Sequence, residues 1–129
     1  LSVATDGAGS CDHADIKHEA RLLYLLSRNS KSIANKGGQS QLSSFDFDIK
    51  SAFSSITSTP ASAMGLHNLG QIKENYLADM VFWRCEFSHL PIVDPQVHLM
   101  MSMGPENVEH VMVNGRFIAL NRKHTAVDL

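Results

Sequence analysis

The apolar positions fall into two textures, and the change comes near Leu66. In the first half they recur every three or four residues. Ile16, Ala20, Leu23 and Leu26 keep that spacing, with Leu22 and Leu25 beside them. This predicts a well-buried amphipathic helix from Ala14 or Asp15 to about Arg28. Asp15 is its expected N-cap, with His18 and Glu19 in the first turns. Upstream, residues 1–5 read as a short strand, broken by the turn residues Asp6-Gly7-Ala8-Gly9-Ser10. Residues 29–44 are rich in Ser, Asn, Gln, Lys and Gly, and predict an exposed, mobile loop. Asp48 is placed to cap a second helix with Ile49, Ala52, Phe53 and Ile56 on one face. Thr59-Pro60 predicts a cap followed by proline at the first helical position, then a short helix over residues 61–64 that stops at Gly65.

The second half is built from short runs. Gly70-Gln71-Ile72 predicts a short strand, and residues 79–83 a second, buried one. Residues 90–95 hold two prolines and read as a loop or sheet edge. Residues 97–103 fit helix or strand. Residues 108–113 alternate apolar and polar, Asn114-Gly115 follows, and Phe117-Ile118-Ala119-Leu120 lies beyond. Two such runs around Asn-Gly predict a hairpin. Residues 121–129 show no firm pattern, and there is no internal repeat. Helices followed by short strands do not make one self-contained layered domain. The leading strand has no partner in the helical half, as though cut from a larger sheet or barrel.

Composition narrows the class. The chain has 129 residues, 43% hydrophobic and 19% charged, which suits a globular protein. The net charge of −2 and the scattered Lys and Arg argue against a nucleic-acid binder. No apolar run approaches the roughly 20 residues that span a bilayer. Cys11 and Cys85 form no close pair, and read as free thiols in a reducing compartment, the cytoplasm. The chain opens on Leu1, so a processing site or a missing N-terminal part is expected.

On residues alone, the candidate chemistry is thin. Asp6 reads as a turn cap. No two of the seven histidines are separated by one residue, so they read as surface or packing side chains. Cys11 has no evident base to make it a nucleophile. Asp12, Asp15 and Glu19 read as a solvated helix start. Met100, Met101 and Met103 read as core filler, and Trp83 as part of a sheet core.

Three stretches, in order, change this picture. The first is Ala4-Thr5-Asp6-Gly7 with Ser10 and a helix containing Glu19-Ala20-Arg21. The second runs through Thr59, Ala61, Ala63, Gly65 and Leu66, then Gly70-Gln71-Ile72 and Leu77-Ala78-Asp79-Met80-Val81. The third is Val111-Met112-Val113-Asn114-Gly115-Arg116. Together they resemble the metal-dependent amidohydrolases, in the branch of chlorohydrolases and of cytosine, guanine and S-adenosylhomocysteine deaminases. Two places depart from the pattern: Glu74-Asn75-Tyr76 between the paired strands, and Cys11-Asp12-His13 near the active-site mouth.

The resemblance implies an α/β fragment. Residues 1–68 would supply the last strand and helices of a (β/α)8 barrel, and residues 69–129 strands of a small composite β-sandwich. Such barrels hold their active sites at the C-terminal ends of the strands, where Asp6 stands. Asp6 would bind a divalent metal, zinc or else iron, and take a proton from the water the metal activates. His13 would reach the substrate. The implied reaction is hydrolytic deamination of a nitrogen heterocycle. The chain alone is expected to be inactive, because the family's remaining ligands come from a His-x-His pair and other histidines that it lacks. Its expected partners are the missing N-terminal barrel part, a small heterocyclic substrate and further copies of itself, with no nucleic acid and no membrane. Two alternatives stay open: a non-catalytic folding or oligomerisation module, and a cyclic-amide hydrolase like dihydropyrimidinase.

Overall fold

The computed structural model describes residues 1–35 and 47–126. The chain divides into two units, Leu1–Pro60 and Ala61–Leu129.

The first unit is helical. Helix α1 spans Ile16–Asn35, and Asp15 caps it: Oδ1 accepts the N–H groups of Lys17 at 3.0 Å and His18 at 3.2 Å. The predicted end at Arg28 is too early. Asn29, Ser30 and Ser32 are mediocre helix formers, but each costs only a few tenths of a kcal/mol. No Gly or Pro intervenes before Gly37, so the helix continues through part of the expected loop. Residues 36–44 of that loop lie outside the described residues.

The leucine face of α1 is also not where its periodicity placed it. Ala20 is fully buried, and Lys17 and Ser27 lie in the same buried stripe, whereas Leu22 and Leu26 remain 44% and 47% exposed. The side of α1 packed toward helix α2 (Ile49–Ser54) is thus the one carrying the small and polar residues. Asp48 caps α2 as expected, accepting the Ser51 N–H at 2.7 Å.

The expected strand over residues 1–5 is absent. These residues make a single backbone bond beyond their own segment, Val3 N–H to the Ser55 carbonyl at 3.2 Å. A strand exists only through its ladder, and no described residue offers one here.

Helix α3 (Ser58–Ala63) begins before the predicted cap, which places Pro60 third in its first turn. Proline is tolerated there because the first N–H groups have no intrahelical acceptor. Gly65 ends the turn with φ 76°. The Leu66 N–H closes back on the Ala61 carbonyl at 2.9 Å.

The second unit holds an antiparallel sheet in simple sequence order: β1 (Met80–Trp83), β2 (Val108–Val113), β3 (Arg116–Leu120) and β4 (Lys123–His124). The Asn-Gly signal gives the expected hairpin. Asn114 and Gly115 take φ 47° and 75°, and Val113 pairs with Arg116. Positive φ at both central residues is the type I′ geometry that matches strand twist. A second tight turn, with Asn121 and Arg122 at φ 51° and 65°, leads into β4 and carries no comparable sequence signal. Strand β1 is only half-buried, with Val81 and Phe82 exposed, so the predicted burial is corrected. Residues 70–72 form no strand, and Ile72 is 90% exposed.

Helix α4 (Pro95–Ser102) resolves the ambiguous run. Asp94 accepts the N–H groups of Gln96 and Val97 at 2.9 and 3.1 Å, and Pro95 occupies the first position. Met100 and Met103 are buried, as core filler should be, whereas Met101 is only half-buried. Among the described residues, no helix is long and apolar enough to cross a membrane.

Candidate functional site

Asp6 follows residues 1–5, which form no regular element, and takes φ 60°. Aspartate tolerates this left-handed conformation better than most residues because its short polar side chain bonds locally. That bond is present: the Gly7 N–H donates to Oδ1 at 2.8 Å. The Gly7 carbonyl in turn accepts the Ser10 and Cys11 N–H groups at 2.9 and 3.2 Å. The turn is thus fixed by its own backbone, and the Asp6 carboxylate is left facing solvent. The Gly7 N–H, and after it the Ser10 hydroxyl, hold the Asp6 carboxyl below the usual aspartate pKa. Like other exposed aspartates it is ionised at neutral pH, as a metal ligand or proton acceptor must be, and the turn bonds extend that range to lower pH.

As a donor set for a catalytic metal, this arrangement supplies one carboxylate. A hydrolytic zinc site normally takes three protein ligands. Among the described residues, no group of three possible metal ligands includes Asp6.

His13 is not joined to Asp6 by any hydrogen bond or ion pair among the described residues. It belongs instead to a separate group. The Cys11 Sγ lies 3.9 Å from His13 Nδ1 and 3.8 Å from a Glu19 carboxylate oxygen. The His13 Nε2 lies 3.6 Å from that same oxygen. His18 packs edge-on against His13, ring centres 4.6 Å apart. Sequence reasoning missed this group. The available signal was a Cys-x-His pair just before a helix with a carboxylate in its first turn. Asp12, Asp15 and Glu19 do not act together: Asp15 is spent on the helix cap, and Glu19 turns back toward Cys11.

Three of the other histidines accept nearby backbone N–H groups. His89 accepts the Glu86 N–H at 2.8 Å and stacks edge-on with His98. His110 accepts the Asn121 N–H at 2.9 Å, and His124 the Ala126 N–H at 3.1 Å. Trp83 is half-buried in β1. Both cysteines are free thiols.

Two of the sequence motifs meet in space at a purely structural point. Asp79 accepts the Asn114 N–H at 2.7 Å, and the Ala78 carbonyl accepts the Gly115 N–H at 3.1 Å. The Ala-Asp pair before β1 thereby pins the hairpin turn between β2 and β3.

Comparison with known proteins adds the wider frame. The model of the Amidohydrolase family matches residues 1–118. A 5-methylthioadenosine/S-adenosylhomocysteine deaminase of Thermococcus kodakarensis is 32% identical over 119 residues, covering 92% of this chain and 26% of that protein. An adenosine deaminase of Xanthomonas campestris, solved with bound zinc, superimposes with a TM-score of 0.82 at 23% identity, over 99% of this chain and 27% of its own. The zinc complex of an atrazine chlorohydrolase of Arthrobacter aurescens gives 0.77 at 22% identity, over 95% and 25%. The chain thus spans about a quarter of the length of the relatives it matches.

Proposed function

The chain belongs to the amidohydrolase family, and from that premise we propose that the intact protein hydrolytically deaminates a nitrogen heterocycle. One observation carries the reading: an exposed aspartate, held in a left-handed turn by its bond to the Gly7 N–H, stands inside the segment matched by deaminases. An adenine-containing thioether nucleoside is the first substrate class to try, since the relative from Thermococcus kodakarensis is named for such compounds.

In this reading residues 1–68 are the end of a (β/α)8 barrel and residues 69–129 part of a composite sandwich. Asp6 is one ligand of a divalent metal, with zinc favoured by the neighbouring structures that carry it. When bound, such an ion lowers the pKa of a coordinated water to about 7. Asp6 then serves as the proton carrier. Its carboxylate takes a proton from the attacking water and passes it to the departing amine, so that water and the amino-heterocycle become the oxo-heterocycle and ammonia. His13 enters as a contact to substrate. The missing ligands belong to a barrel portion that this chain does not contain, so the 129-residue chain alone is inactive. The exposed leucines of α1 support a partner surface there, either that barrel portion or a second copy. The two free thiols support a cytoplasmic setting.

The test is ammonia release by the full-length protein from S-adenosylhomocysteine and 5-methylthioadenosine, with and without Asp6→Asn. Asparagine keeps the left-handed backbone and removes the charge. The expected loss in kcat is about 10²–10⁴-fold, with the circular dichroism spectrum unchanged. Full activity in the variant removes Asp6 from the mechanism. No ammonia release from any amino-heterocycle leaves the folding or oligomerisation module.

A further inference from the structure

We propose that Cys11, His13 and Glu19 bind a zinc ion of their own, distinct from the metal assigned to Asp6. One ligand atom from each residue lies within 4.8 Å of the other two. Tetrahedral zinc, with bonds of about 2.3 Å to sulfur and about 2.0–2.2 Å to nitrogen and oxygen, requires ligand atoms roughly 3.3–3.6 Å apart. The closest approaches here are 3.9 Å from the Cys11 Sγ to the His13 Nδ1, 3.8 Å from the same sulfur to a Glu19 carboxylate oxygen, and 3.6 Å from that oxygen to the His13 Nε2. One ring nitrogen binds, so closing the site needs a movement of up to about 1 Å in the His13 or Glu19 side chain, within the 4.8 Å that bounds the three ligand atoms.

The backbone already restrains two of the three donors, Cys11 and Glu19. The Cys11 N–H is tied to the Gly7 carbonyl, and Asp15 fixes the start of α1. Glu19 therefore sits one turn into the helix, facing back toward the loop. The donor set is thiolate, imidazole and carboxylate. That combination suits a borderline-soft divalent ion, and is poorly matched to Mg²⁺ or Ca²⁺, which prefer oxygen alone.

The alternative use of these residues, a Cys-His nucleophile pair, is disfavoured by the same geometry. A carboxylate 3.8 Å from the sulfur repels a thiolate, whereas a cation between them is attracted by both. On binding, the Cys11 S–H bond breaks and its proton goes to solvent as the S–Zn bond forms. One ring nitrogen of His13 gives its lone pair, and the other keeps its N–H. The fourth position is left to solvent. The site clips the loop after Asp6 to the first turn of α1, and its existence does not depend on the deaminase reading.

The experiment uses the full-length protein, stripped with a chelator and titrated with Co²⁺ and then Zn²⁺. The readouts are near-ultraviolet thiolate-to-cobalt charge-transfer absorption and total metal content. The wild type should show the band and lose it as Zn²⁺ displaces Co²⁺. Cys11→Ser should abolish it, and His13→Ala and Glu19→Gln should each weaken metal binding at least about tenfold. Asp6→Asn should leave the band intact while removing activity, which separates this site from the catalytic one. If the deaminase reading fails, the band still reports on this cluster. Absence of the band in folded wild-type protein overturns the proposal. So does a band that Cys11→Ser removes but His13→Ala and Glu19→Gln leave unchanged.

Discussion

Residues 1–7 and the sheet from Met80 to His124 treat their backbone groups in opposite ways. The sheet pairs its strands in sequence order, and its Asn114-Gly115 turn is pinned by Ala78 and Asp79 from just before β1. Residues 1–5 form no regular element and bond one partner beyond their segment among the described residues, Ser55, yet they lead to Asp6, the residue with the strongest claim to chemistry. Under the proposed function, stability and chemistry fall in different regions. The sheet finds its partners within some forty residues of chain, while the segment before Asp6 is suited to neighbours that are distant in sequence. The same contrast separates the two apolar surfaces. Met100 and Met103 are buried within the second unit, whereas Leu22, Leu25 and Leu26 of α1 stay substantially exposed.

The sharpest test of this division is Asp6→Asn in the full-length protein, where kcat should fall about 10²–10⁴-fold with little change in melting temperature. A large drop in stability would mean that the Asp6 turn is structural after all. Next comes the leucine face. Replacing Leu22, Leu25 and Leu26 together by serine should make the isolated chain less prone to self-associate, read by analytical ultracentrifugation. In the full-length protein it should cost about 1 kcal/mol per residue, roughly the half of a leucine's transfer energy still unrealised at half exposure. If neither changes, that face has no partner.

The reverse experiment is Asp79→Ala. It removes the carboxylate that accepts the Asn114 N–H, and should lower the stability of the full-length protein by about 1 kcal/mol, measured by urea unfolding. Activity per folded molecule should be unchanged. Gly115→Ala, which forces a side chain into φ 75°, should cost roughly 1–2 kcal/mol in the same assay. A smaller effect than that of Asp79→Ala would show that the Asp79 bond, more than the turn conformation, fixes the hairpin.

The smallest effect is on acid stability. Asp6 and Asp48 both have folded pKa values below the usual aspartate value, through the Gly7 N–H for Asp6 and the Ser51 N–H and hydroxyl for Asp48. In that window the unfolded chain binds more protons than the folded one, so stability rises with pH. The contribution is complete above the unfolded aspartate pKa and is lost as pH falls through the lower folded values. Both groups face solvent, so the change should be slight. It should appear as depressed carboxyl titration midpoints by NMR, and midpoints at the ordinary value would remove these bonds from solution.

Where a structural feature depends on neighbours in sequence, the chain itself was legible. Asp15, Asp48 and Asp94 each stand before a helix, and Asp15 and Asp48 were readable as caps because the partner N–H lies two or three residues on. Asn114-Gly115 specified its turn because few other pairs accept two positive φ values. The same logic explains two misses. Arg122 is not a residue one expects at φ 65°, so the second turn left no mark. Residues 70–72 had strand-like composition but found no pairing partner among the described residues.

The order of motifs along the chain was sufficient to place it among the amidohydrolases, because local turns and caps recur wherever that backbone is built. The local cluster of Cys11, His13 and Glu19 was also within reach of the sequence, as a Cys-x-His pair before a helix start. Tertiary structure alone decided two further matters. It turned the small and polar side of α1, not its leucines, toward α2. It joined Asp79 to a turn thirty-five positions away. The physical reason is common to both: periodicity and propensity report the bonds a residue makes with its near neighbours, while the choice among exposed faces and distant partners is set by which surfaces meet.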